Sequence, residues 1–173
     1  MKKLLMLILV VTSLSISVAQ DINAPVYNQE FENCEQDYNE LRNMVIQKRG
    51  FGNKYFKDSE PFSGCAKYAS IGAKGELAEY MVAHIQDGYA TKLTYYFPDG
   101  SISREFNFKD GRAHGRHIMY YRNGDTYIEE YYDEGRPHGS QKRWLENGDA
   151  GRIGLYDFGM PIFDLVYVAD TKC

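Results

Sequence analysis

Three stretches decide the fold: Tyr96-Phe97-Pro98-Asp99-Gly100, Tyr120-Tyr121-Arg122-Asn123-Gly124 and Trp144-Leu145-Glu146-Asn147-Gly148, spaced 24 residues apart. A second series keeps the same step, as Phe108-Lys109-Asp110-Gly111, Tyr132-Asp133-Glu134-Gly135 and Tyr156-Asp157-Phe158-Gly159. Gly115 and Gly139 follow it too, in Ala113-His114-Gly115 and Pro137-His138-Gly139, while Gly75 and Gly88 mark an earlier, less regular copy. Asp-Gly and Asn-Gly supply the positive φ angles that tight hairpin turns require, and the aromatic or β-branched stretches between them suit pleated strands. Each unit therefore predicts two short antiparallel strands and two turns. One hairpin alone is marginal in water, so successive units must pair into a continuous twisted sheet.

Outward from this region the composition changes. None of the 16 glycines precedes Gly50. Upstream, Phe31, Cys34, Tyr38, Leu41 and Val45 recur at spacings of 3, 4, 3 and 4, which predicts an amphipathic helix over residues 28 to 48 whose apolar stripe covers the sheet. Downstream, the mostly apolar run Ile162 to Val168 reads as a final strand or cap. At the start, Lys2 and Lys3 precede the apolar run Leu4 to Val11, a weaker stretch and the small-residue site Ser17-Val18-Ala19. That order is a cleaved secretory signal, and the apolar run falls well short of the ~20 residues that span a bilayer. The expected organisation is a signal peptide (1–19), an N-terminal segment with the helix (20–54), hairpin repeats (55–161) and a C-terminal strand or cap (162–173). The fold class is mainly β: an elongated single antiparallel sheet of hairpins, with one N-terminal α-helix packed on or beside it.

The chain has 173 residues, 43% of them hydrophobic, which suits one globular domain. Without Lys2 and Lys3, 18 basic residues face 24 acidic ones, a net charge of −6. Such a chain is a poor nucleic-acid binder and a weak ligand for anionic membranes. Export makes disulfides stable. Cys34, Cys65 and Cys173 allow three single pairings, or none, and no spacing selects among them; the preferred bridge is Cys34 with Cys65, which would tie the N-terminal helix to the start of the repeat region. No C-x-x-C spacing suggests a zinc ligand set.

The pattern aromatic-aromatic-x-Asn/Asp-Gly, a polar strand, then Asp-Gly-x-x-His-Gly resembles the bacterial variant of the MORN repeat, as does the segment Pro61-Phe62-Ser63-Gly64. The likeness covers residues 55 to 160 and departs at its edges. The first copy lacks His-Gly at Thr91-Lys92, and the last has Phe158-Gly159 in place of Asp-Gly. The resemblance implies an antiparallel hairpin array. It also implies scaffolding or protein binding, with membrane association in some eukaryotic members and an antitoxin label for some bacterial ones.

Little in the chain points to chemistry. His117 makes a His-x-x-His spacing with His114, but the turn motif accounts for His114 and His138 without a metal. No nucleophile elbow, phosphate-binding loop or metalloprotease helix occurs, so no catalytic residue, metal or cofactor is expected. The aromatic excess is more informative: 15 Tyr, 9 Phe and 1 Trp. Tyr96, Tyr120 and Trp144 form one column, and Phe97, Tyr121 and Leu145 the next, on opposite faces of the sheet. An exposed ladder of such rings suits recognition of a protein or a sugar. The reading from sequence is an exported, periplasmic or secreted, non-enzymatic scaffold that binds another protein. An antitoxin-like protein and a membrane-surface scaffold are the alternatives, and a hydrolase is the least supported.

Overall fold

The computed structural model describes residues 28–37, 54–73 and 75–166. In chain order these form helix α1 (Gln29–Glu32) and strands β1 (Gln36–Asp37), β2 (Phe56–Lys57), β3 (Glu60–Pro61), β4 (Gly64–Ile71), β5 (Leu77–Gln86), β6 (Tyr89–Tyr96), β7 (Ile102–Lys109), β8 (Arg112–Ala113), β9 (Gly115–Tyr120), β10 (Thr126–Asp133), β11 (Arg136–Trp144), β12 (Ala150–Asp157) and β13 (Met160–Val166). The protein is mainly β. One large sheet runs β1-β4-β5-β6-β7-β9-β10-β11-β12-β13, with β8 paired to β7 beside this path and β2–β3 forming a separate pair.

Two kinds of reversal alternate along the sheet. Asp87-Gly88, Asp110-Gly111, Glu134-Gly135 and Phe158-Gly159 have positive φ at both residues, between 42° and 90°. That is the primed-turn geometry whose twist matches the flanking strands. On the opposite edge lie the loops Phe97–Ser101, Tyr121–Asp125 and Leu145–Asp149. In the first, Gly100 N–H donates to the Phe97 carbonyl at 2.9 Å and Phe97 N–H donates to the Ser101 carbonyl at 2.8 Å; the other two repeat both bonds. Asp99, Asn123 and Asn147 each accept a bond from the backbone N–H two residues on, at 2.9, 2.9 and 3.1 Å. These short polar side chains thus fold each loop locally. Along the first edge, Gly135 N–H donates to the Ala113 carbonyl at 2.8 Å and Gly159 N–H to the Pro137 carbonyl at 2.7 Å, lacing one turn to the next.

The N-terminal expectation needs correction. The helix is a single turn, Gln29–Glu32, not a rod over residues 28 to 48. Asn28 caps its start by accepting from Phe31 N–H, and the chain then leaves the helix at Asn33. Gln36 and Asp37 run parallel to β4, opposite Ala66 and Lys67, so the sheet is mixed and not purely antiparallel. The physical reason is competition for backbone partners: the open edge of β4 offers ladder bonds that a continuing helix would forgo. Tyr38, Leu41 and Val45 lie outside the described residues, as do residues 1–27 with the expected export signal.

Both buried clusters sit on β4–β6. On one face Phe31 and Cys34 pack over Tyr80, Val82 and Tyr96; on the other Tyr55 packs with Ala66, Met81, Ala83 and Ile85. Among the described residues beyond β6, only Ile118 and Ile128 are buried apolar side chains. Among the described residues no second layer covers the rest of the sheet. Cys34 and Cys65 lie at disulfide distance, with Cα atoms 5.4 Å apart, pinning the segment after α1 to β4.

The pairing closes a loop across a sequence separation of 31 residues. Replacing either cysteine by serine should lower stability by ~3 kcal/mol through the freed unfolded chain. Urea unfolding of wild type and variant, with and without reductant, measures it. Reductant should abolish the difference between them.

Candidate functional site

Three surfaces bring polar or aromatic groups together. The first clamps α1 to the sheet. Tyr96 is 1% exposed, so it is a core residue and not a rung of an open ladder. Its ring stacks on Tyr80 at 4.8 Å, and Phe31 meets Tyr80 edge-on at 4.9 Å. The Tyr96 hydroxyl donates to Glu30, whose other oxygen lies 2.7 Å from His84 Nε2. Burial pushes the Glu30 carboxyl up, but the bonds from Tyr96 and His84 outweigh it and hold the group below its ordinary range. Burial and the bond to Glu30 both raise the Tyr96 hydroxyl. The cluster is a brace: its groups satisfy one another.

The second surface lies on the opposite face. Tyr95 meets Phe106 at 5.9 Å, Phe106 meets His117 at 5.2 Å, and His117 meets Tyr132 at 4.7 Å, with Phe108 also 5.6 Å from His117. This ring ladder crosses β6, β7, β9 and β10 and was not among the columns expected from sequence. The signal lay in strand parity: Tyr95 is opposite Arg104 and Leu93 opposite Phe106, which puts all four on one face. His117 is 8% exposed and its Nε2 lies 2.7 Å from the Asn107 carbonyl. Burial holds the imidazole below its ordinary value despite that bond. The Tyr132 hydroxyl, pushed up to about 12 by burial and by its bond to Glu130, donates to Glu130 Oε2 at 2.8 Å.

Tyr120 and Trp144 are half-buried at the ends of β9 and β11. Phe97 and Tyr121 open the polar loops; Arg122 lies over the Phe97 ring at 5.1 Å, and the Tyr121 hydroxyl donates to the Trp144 carbonyl at 2.9 Å. His114 and His138 sit beside Asp133 and Asp157, at 3.1 and 3.3 Å, in neighbouring units of the turn edge. Among the described residues no group of three or more His, Cys, Asp or Glu side chains converges to hold a metal ion, and no helix is long and apolar enough to cross a membrane.

The third surface is the terminal edge. Phe158, Met160, Ile162, Phe163, Leu165 and Val166 are all exposed, between 43% and 71%. Among the described residues β13 ends the strand order, bonded to β12 on one side only. Phe158 has a φ of 42°, a left-handed conformation rare for a bulky side chain, and its ring rests 4.8 Å from His138. A strained residue carrying an exposed ring beside an open edge marks this end as the candidate site.

No protein-family model matches the chain, and no curated protein matches it. Among solved structures the chain is similar to TarM at 15% identity and a TM-score of 0.30, over 72% of this chain and 23% of TarM's. The chain thus spans about a quarter of TarM's length, and a likeness this slight carries no argument.

Two outcomes test these placements. Phe158→Asn relieves a left-handed backbone that costs a bulky residue ~1–2 kcal/mol while losing a ring contact of similar size, so stability should change by less than ~1 kcal/mol. Thermal unfolding reads this, and a larger loss would make Phe158 a structural residue. His117 binds its proton more weakly folded than unfolded, so its contribution is present above the ordinary histidine range and is lost as pH falls below about 6.5. Urea midpoints should drop across that window, and less so in His117→Gln.

Proposed function

We propose that this chain is an exported, non-enzymatic protein-binding module built of MORN-like hairpin repeats, which takes its partner at the β13 edge. The observation that carries the reading is the exposed apolar strand itself. Natural sheets blunt their edges with charge, proline, bulges or covering elements, because an open strand pairs with other chains. β13 has Pro161 and a register shift at Ile162 near its turn and a single acid, Asp164, and from Phe163 to Val166 it otherwise presents apolar side chains in regular register. An edge of that kind suits strand addition, in which backbone bonds give affinity and alternate side chains give specificity. The 24-residue spacing of the turns supports the hairpin-repeat reading, and the Cys34–Cys65 pairing distance supports an oxidising address. Antitoxin-like binding of a toxin is one form of the same activity.

Affinity capture from the envelope and secreted fractions tests this reading when wild type and Leu165→Glu are compared. The expected result is a captured protein lost with the variant, while the variant's melting temperature stays that of wild type. Equal capture by both would remove β13 from the function.

A further inference from the structure

We infer that the β13 edge pairs antiparallel with β13 of a second copy of this chain, about a two-fold axis at Asp164, joining two sheets into one. The inference rests on the protein-binding reading above and names the partner.

Six of the eight exposed large apolar side chains among the described residues fall between Phe158 and Val166, so the patch is continuous and confined to one end of the sheet. Strand alternation places Asp164 and Val166 on one face and Phe163 and Leu165 on the other, while the register against β12 shifts at Ile162, which has no partner there. Ile162-Phe163-Asp164-Leu165-Val166 reads apolar, apolar, acid, apolar, apolar in either direction. Antiparallel pairing about Asp164 therefore sets Phe163 of each copy against Leu165 of the other on one face, and brings Ile162 and Val166, both apolar, next to each other beside that pair. A self-complementary patch of this kind is what an isologous two-fold contact requires. The patch also widens inward. Leu165 stands opposite Ile153 and Phe163 opposite Leu155 on β12, so the apolar surface on that face would run unbroken over four strands of the pair.

Charge selects the same occupant. A net-acidic chain repels its own copy at long range, and like charges directly opposite in a sheet are destabilising. Here the only charged group of β13 is already neutralised within its own chain. Arg152 Nε lies 2.8 Å from Asp164 Oδ1, its Nη2 bonds Asp164 Oδ2, and the Tyr156 hydroxyl lies 3.0 Å from the same oxygen. Gly154 makes room for the clamp: a Cβ there would lie 2.7 Å from the Tyr156 ring. At the axis the two carboxylates would be bracketed by two guanidinium groups. The edge thus offers a charged partner no free opposite charge and offers its own copy a neutral, apolar match.

Sedimentation velocity of the purified protein over a wide dilution series tests the inference. The expected result is a reversible dimer that Phe163→Glu and Leu165→Glu each weaken by at least ~30-fold, the equivalent of ~2 kcal/mol. Ile71→Glu, at a 58% exposed apolar side chain on β4, should leave the dimer unchanged. Melting temperatures of all variants separate lost pairing from lost folding. Register is read by cross-linking in a Cys173→Ser background. Asp164→Cys should form an intermolecular disulfide on mild oxidation, whereas Met160→Cys should not, since eight residues of offset separate those two positions by ~27 Å. A monomer at every concentration, a dimer indifferent to both glutamates, or cross-linking through position 160 as readily as 164 would overturn the inference. A monomer that still loses a different captured protein with Leu165→Glu would overturn self-pairing and leave the protein-binding reading standing. A monomer with no capture dependent on β13 would overturn both.

Discussion

Positive φ at fixed places in the chain is the constraint on which the structure depends. The two-residue reversals seen here have both residues in a conformation that most side chains resist, and Asp-Gly pairs lower that cost. Glu134-Gly135 and Phe158-Gly159 do the same work with less suitable first residues, at φ of 46° and 42°. Once each reversal is set, the order of the strands follows, because each tight turn leaves its two strands adjacent. The polar loops on the other edge add a second local device, the Asp99, Asn123 and Asn147 side chains bonding their own backbone. From β4 onward the sheet is thus assembled largely from short-range decisions, whereas β1 joins it in parallel at the edge of β4.

A sheet built this way has nowhere to hide most of its side chains. Its core is local, concentrated where the N-terminal segment covers β4–β6 and where Cys34 meets Cys65. Further along, side chains shelter one another across strands, as in the ladder from Tyr95 to Tyr132, and stability there comes from cross-strand contact more than from depth. The arrangement has a polarity. One end is capped by β1 and the disulfide, and the other ends in an apolar strand with nothing described beside it.

The periodic glycines made the turns legible, because Asp-Gly and Asn-Gly act through backbone sterics that hold in any context. The Cys34–Cys65 pairing was legible as a preference among several. The helix was not: the spacing of Phe31, Cys34 and Tyr38 fits a helical face, but Cys34 is drawn to Cys65 and Gln36 to the edge of β4, and such long-range competition leaves no local mark. The ring columns were only partly legible. Alternation separates Tyr95 from Tyr96, yet which face is covered is a tertiary fact, so Tyr96 is buried beneath α1 while Tyr95, Phe106 and His117 share the other face. For β13 the run Ile162 to Val168 promised a strand, and only the strand order revealed that it is an edge.

In the pairing inferred above, that edge is open in one molecule and closed by a second. Amide hydrogen exchange measured on the same protein at high and low concentration addresses it most directly. The outward-pointing amides of Ile162 to Val166 should be protected in concentrated solution and exchange freely on dilution, while the β10–β11 ladder stays protected in both. Protection of β13 that does not depend on concentration, or its absence at every concentration, would contradict the account.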